Sequence, residues 1–329
     1  MDLRTTYMGL ALNSPIVVSA STLSEETHRI MEMEEAGAGA VVLFSLFEEQ
    51  IRAEQARYAS ISHATSHSFA EASSFFPSLD NYAAGTEDYL EKIWQAKNSV
   101  DIPIIASLNG ITPEGWIEYA KQIEQAGADG IEINVFFIPG DIHVSSAEVE
   151  HRYLNIITEV RNNVRLPIAV KLNPYFSAMG NMALRMQKAG ADALVLFNRF
   201  YQPDFDINQL RILSNLHFSD ADEMRLPLLW IAMLYGRVPV SLAGTTGVQS
   251  ANEVIKYLLA GADIAMTASA LYKKGIGYLK RMNEDLATWM RAMEFSSLAD
   301  FKGTLSQQHV ADPTAFERAN YIKVLHSRR

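Results

Sequence analysis

One lysine stands inside an apolar run, I-A-V-K-L-N-P-Y (168–175), where a buried ammonium needs a partner or a task. Lys171 can serve there as a Schiff-base amine, as a cation beside an anionic cofactor, or as half of a structural ion pair. Strand alternation sets Ala169, Lys171 and Asn173 on one face. If that face lines an interior, the small Ala169 leaves the lysine room. Three asparagines, Asn109, Asn134 and Asn198, end three other apolar runs. Amides at one level form a ring of donors and acceptors suited to a planar polar ring rather than to a metal. The string A-G-T-T-G-V-Q-S (243–250) leads into a helical segment, and its Gly/Thr turn offers backbone N–H groups to a phosphate dianion. M-T-A-S-A-L (266–271) offers a second turn of small residues. The alternative is that Gly244 and Gly247 only shape a tight turn.

Other polar residues carry less. His63 and His67 are four apart, but no third ligand stands at matching spacing, so they read as solvated loop histidines. His143 follows a Pro-Gly turn in I-E-I-N-V-F-F-I-P-G-D (131–141) and is placed to swing over a nearby site. With no cysteine there is no disulfide framework, no thiolate-bound zinc and no cysteine nucleophile.

Eight short apolar runs must position these groups: 15–20, 40–45, 103–109, 130–134, 167–173, 193–198, 238–244 and 263–268. Most are continuous rather than alternating, as expected of parallel strands covered on both faces. Segments of helical spacing lie between them. Four of these end on one phrase, A-G-A-G-A, A-G-A-D-G, A-G-A-D-A and A-G-A-D-I, whose Gly suits a left-handed helix cap before a strand. Eight strand–helix units predict a (β/α)8 barrel. A doubly wound sheet is the alternative, but it rarely needs eight such units.

The barrel places functional groups on the loops after the strands, the longest being 46–83, 135–147 and 199–225. No interior stretch reads as a linker, so one domain spans 1–329, with a helical, amphipathic tail from about 276 packed outside the barrel. A net charge of −10 argues against nucleic-acid or anionic-membrane surfaces. No apolar run approaches the ~20 residues of a membrane span, and the N-terminus lacks a signal-peptide pattern. A soluble, cytoplasmic protein acting on a small molecule is expected.

Together these motifs resemble the dihydroorotate dehydrogenase family of FMN-dependent barrels, over most of the chain. M-G-L-A-L-N-S-P-I-V-V-S-A-S is similar to the family's opening hairpin and first strand, which implies Ala20 and Ser21 beneath the flavin. I-A-V-K-L-N-P-Y resembles its lysine strand, and L-F-N-R its sixth-strand asparagine. That implies catalytic roles for Lys171, Asn134 and Asn198 at the flavin, with Ser45 and Asn109 as further cofactor contacts. The two Gly/Thr and Thr/Ser loops resemble the family's phosphate loops, implying that Gly244, Thr246, Gly247, Ala268 and Ser269 hold the FMN phosphate. L-A-T-W-M-R-A-M-E-F-S-S-L-A-D-F-K-G is similar to the family's C-terminal segment. The resemblance also implies a homodimer.

The departures concern the substrate end. After the fourth strand the family carries Asn-x-Ser-Cys-Pro-Asn or a serine version, whose Cys or Ser removes the substrate proton. Here Asn134 is followed by Val135, Phe136 and Phe137, and phenylalanine accepts no proton. The family's lysine at the second strand is replaced within Leu43-Phe44-Ser45-Leu46. The asparagine that the second loop offers substrate has no clear match in S-S-F-F-P-S. Ser145, Ser146, Tyr175 and His143 remain as substitute bases. The alternatives are a flavoprotein with a more apolar substrate, a flavin-binding barrel without catalysis, and a flavin-free lyase built on Lys171.

Overall fold

The computed structural model describes residues 1–50, 86–110, 113–136, 138–199, 202–213, 217–316 and 326 of the 329-residue chain. The chain opens with a hairpin, β1 (Thr5–Tyr7) and β2 (Leu10–Leu12), in which Tyr7 pairs with Leu10. Six parallel strands follow: β3 (Ile16–Val18), β4 (Val41–Phe47), β5 (Ile104–Asn109), β6 (Gly130–Asn134), β7 (Ile168–Leu172) and β8 (Ala193–Leu196). An antiparallel ribbon, β9 (Asp204–Asp206) and β10 (Arg211–Leu213), precedes β11 (Ser241–Gly244) and β12 (Ile264–Thr267). The parallel strands close in the order β11-β12-β3-β4-β5-β6-β7-β8. All eight apolar runs are therefore barrel strands, and the expected (β/α)8 architecture is present.

Period-two alternation divides the core. Val17, Val42, Ile105, Ala169, Val195, Ala243 and Met266 face inward, where they meet Tyr7, Met8 and Leu12 of the hairpin. The hairpin thus closes the N-terminal end of the barrel, anchored where the Met8 N–H donates to Ser241 Oγ at 3.1 Å. Ile131, Ile133, Val170 and Leu172 face outward against the helices. Each such buried side chain contributes roughly 1.5–3 kcal/mol relative to exposure.

The outer layer comprises α1 (Thr27–Glu35), α2 (Thr86–Ser99), α3 (Pro113–Gln125), α4 (Ser146–Asn163), α5 (Met179–Ala189), α6 (Arg225–Leu234), α7 (Ala251–Ala260) and α8 (Ser269–Lys274). Helices α5 and α7 end on Gly190 and Gly261, both at φ 115°, where a side chain would be strained. This is the work of the repeated Ala-Gly-Ala-Asp phrase: it stops a helix and turns the chain into the next strand.

The tail is helical as expected: α9 (Tyr278–Ala292) buries Leu279, Met282, Leu286 and Met290 against the barrel's outer layer. Beyond it the described residues include two short 3-10 helices, Leu298–Asp300 and Pro313–Phe316, the first opened where Asp300 accepts from the N–H groups of Ser296 and Ser297. The sixth loop, after β8, carries the β9–β10 ribbon. In D-F-D-I-N-Q-L-R-I-L, Phe205 pairs with Ile212 across the ribbon, and both are exposed. Three-residue strands with solvent on their apolar face carry too little pattern to be recognised from sequence.

Candidate active site at the barrel mouth

A cavity of about 490 Å³ lies at the C-terminal ends of the strands. On one side stands Lys171 of β7, 8% exposed, with Nζ 3.3 Å from Glu132 Oε1. Glu132, on β6, is wholly buried and lies in register with Ala169, whose methyl leaves space for the carboxylate. Two readings of the lysine therefore hold together: it is half of an ion pair, and it lines the cavity. Sequence reading missed Glu132. The rule that singled out Lys171, a charge inside an apolar strand, applies equally to G-I-E-I-N.

Asn198, just past β8, lines the same cavity and donates from Nδ2 to Asn134 Oδ1 at 2.8 Å. Asn134 is buried behind it, in register with Asn109 on one side and Lys171 on the other. Asn109 and Asn134 stand at one level, whereas Asn198 lies three residues beyond Val195, the residue in register with Lys171, and joins them through its side chain; Asn134 and Asn109 are not on the cavity wall. Ser45 is not on the wall either; it bonds Ser107 Oγ at 2.8 Å. Asn173 departs from the alternation. Its Nδ2 donates to the hydroxyl of Tyr153 on α4 at 2.7 Å, so its side chain ties the strand end outward rather than pointing into the barrel. Beyond the last ladder bond, hydrogen bonding and not pleat decides direction. Burial pushes the Tyr153 phenol up to about 12, and it donates in turn to the Val135 carbonyl.

The opposite end of the cavity is built from the turns after β11 and β12. Thr246, Gly247, Ala268 and Ser269 line it, as do Ala20 and Ser21 from the first loop. Thr246 and Gly247 take φ of 72° and 80°, and a Cβ on Gly247 would lie 2.8 Å from the Met224 nitrogen. The non-glycine left-handed residue costs roughly 1–3 kcal/mol. It is held by Tyr257, whose hydroxyl proton is shared between the carbonyls of Thr245 (2.9 Å) and Thr246 (2.8 Å). Gly244 stays off the wall and packs face-on to the Tyr257 ring.

Ser219, from the sixth loop, meets these turns: its Oγ accepts from the Gly247 N–H at 3.3 Å and lies 3.0 Å from Ser269 Oγ. Phe218 stacks on Tyr272 at 5.2 Å on the rim, and Tyr272 bonds Thr22. Ser219, Phe218, Tyr272, Arg199 and His217 all line the cavity without any local signal in the sequence. Ser21 lines the cavity, and its Oγ is buried with no hydrogen-bond partner among the described residues.

The substitute bases are elsewhere. Ser145 caps α4, its Oγ accepting from the Glu148 N–H and donating to the Glu148 carboxylate, and His143 is exposed. Tyr175 is 67% exposed; neither it nor Ser146 lines the cavity. Phe136 is half-buried, and Phe137, His63 and His67 lie outside the described residues.

The fold and the cavity define a (β/α)8 barrel with an open cavity at its C-terminal mouth, where barrels of this kind carry their sites. The family model for dihydroorotate dehydrogenase matches residues 2–290, and the chain belongs to that family. It is similar to the catalytic subunit of dihydroorotate dehydrogenase B (NAD(+)) from Thermoplasma volcanium, at 27% identity over 92% of this chain and 98% of that one. The enzyme of the same name from Methanocaldococcus jannaschii is 23% identical over 88% of this chain and 94% of the other. No helix among the described residues is long and apolar enough to cross a membrane.

Proposed function

We propose that the chain is an FMN-dependent oxidoreductase acting on a CH–CH bond of a small substrate, with dihydroorotate as the first substrate to test. The observation that carries this reading is convergence. Ala20, Ser21, Lys171, Asn198, Thr246, Gly247, Ala268 and Ser269, implied by five motifs spread along the chain, line a single cavity.

The residues present fit the cofactor. Ser21 on the cavity wall carries a buried hydroxyl with no hydrogen-bond partner among the described residues, and Thr246, Gly247, Ala268 and Ser269 present two turns of small residues to the same space. Thr246, Gly247, Ala268 and Ser269 hold the phosphate, while Lys171 and Asn198 serve the ring. The flavin, when bound, supplies the two-electron chemistry. Lys171, its side chain only 10% exposed, would set a positive charge beside the ring, where it is worth more than in bulk water. Asn198, itself pinned by Asn134, orients ring or substrate by its amide. A second copy of the chain completes the assembly that we assign to it.

A second reading, a more apolar substrate, is favoured by one observation. His143, Ser145, Ser146 and Tyr175 all lie off the cavity wall, and Val135 and Phe136 follow Asn134 where a proton acceptor is expected. Purified protein that is yellow and releases FMN on denaturation supports the cofactor assignment; colourless protein that takes up no FMN refutes it. Anaerobic mixing with dihydroorotate then separates the two readings. Bleaching of the flavin selects the first, and its absence at every pH selects the second.

A further inference from the structure

We propose that Glu132 acts through its carboxylate charge to hold Lys171 as an aimed ammonium, so that the cationic wall of the cavity is a two-residue device of β6 and β7. Its role toward the ring rests on the FMN assignment above; its role toward Lys171 does not. Glu132 Oε1 lies 3.3 Å from Lys171 Nζ, while Oε2 has no hydrogen-bond partner among the described residues. Glu132 does not line the cavity and Lys171 does, so the carboxylate acts only through the lysine.

The surroundings isolate this pair. On β5, Ser107 stands in register with Glu132, but its hydroxyl meets Ser45. On β1, the Tyr7 hydroxyl is buried and also lacks a partner among the described residues. Asp263, at the N-terminal end of β12, is paired with Lys302 at 2.7 Å. At the mouth, Arg199 lines the cavity, but its guanidinium is paired with Glu223 at 2.8 Å, and His217 lies beside it on the wall. Among the described residues, Glu132 is thus the carboxylate that meets the lysine.

Charge and shape make opposite demands at this position. Glutamine keeps the volume and loses the charge; aspartate keeps the charge and loses a methylene. If Glu132 merely fills space, Glu132→Gln is benign and Glu132→Asp is damaging. If its charge holds Lys171, the order reverses, because the four-carbon lysine chain can follow a shortened carboxylate.

The test is urea unfolding of flavin-free protein for Glu132→Gln, Glu132→Asp, Lys171→Met and the double variant Glu132→Gln/Lys171→Met. The expected order places Asp above Gln, and the double variant above both Glu132→Gln and Lys171→Met, since it leaves no lone buried charge. Losses that simply add in the double variant, or a Gln variant that equals wild type, overturn the proposal. Should Glu132→Gln fail to fold, a folded double variant supports it and an unfolded one overturns it.

FMN titration supplies the second readout. Glu132→Gln is expected to weaken binding roughly tenfold or more, Glu132→Asp less, and the double variant no more than Lys171→Met alone. Equal affinities for wild type and Glu132→Gln overturn the role toward the ring. If wild-type protein takes up no FMN, the cavity assignment falls, and the unfolding order still decides what Glu132 does.

Discussion

Gly244 sits in a motif whose glycines suit phosphate, yet its geometry points to packing. A Cβ there would lie 2.5, 2.6 and 2.7 Å from three atoms of the Tyr257 ring. Tyr257 is fully buried and cannot swing aside. Gly244→Ala therefore pushes the ring and, with it, the hydroxyl that holds the Thr245 and Thr246 carbonyls. Overpacking costs roughly 1–3 kcal/mol, and loosening the shared hydrogen bond adds about 1 kcal/mol, a total near 3 kcal/mol. With an unfolding entropy of about 2.1 cal/mol/K per residue over 329 residues, this lowers Tm by about 4 °C. Calorimetry of flavin-free Gly244→Ala is the assay. An unchanged Tm accompanied by weakened FMN binding refutes the packing argument and returns Gly244 to the phosphate.

Lys171→Ala leaves the Glu132 carboxylate buried without its counter-charge, expected to cost about 3–5 kcal/mol and to abolish flavin turnover; unchanged reduction kinetics by stopped flow show that the lysine assignment is wrong. Ser145→Ala removes the cap of α4, expected to cost about 1 kcal/mol, and leaves flavin reduction intact; lost reduction with an unchanged Tm makes Ser145 a base after all. Asp300 is held at about 2, below 3.8, by hydrogen bonds from Ser297 and Ser296. Its contribution to stability is full above 3.8 and disappears as pH falls through about 2. Asp300→Asn is expected to flatten the acid limb of stability in that window, and an identical limb in acid titration by circular dichroism contradicts the assignment.

Much of the fold was legible because its signals are local. A continuous apolar run specifies a strand covered on both faces, and a Gly after a helical stretch specifies its cap; neither depends on distant residues. The repeated Ala-Gly phrase and the eight runs therefore determined the barrel. The barrel in turn brought Lys171, Asn198, Thr246 and Ser269 to one end.

Tertiary structure decided the partners. Glu132 and Lys171 are 39 positions apart and meet only because β6 and β7 pair in a particular register. Asn173 obeys strand alternation on paper, but it lies past the last ladder bond, where the Tyr153 hydroxyl captures it. Ser219 reaches the Gly247 N–H because the end of the sixth loop, His217–Ser219, returns to the cavity wall. Gly244 and Gly247 look alike in A-G-T-T-G, yet one packs on an aromatic ring away from the cavity, while the other packs on the Met224 backbone and lies on the cavity wall. Composition and period act over a few residues and so determine elements. Which side chain meets which is set by register and loop path, and those exist only once the barrel closes.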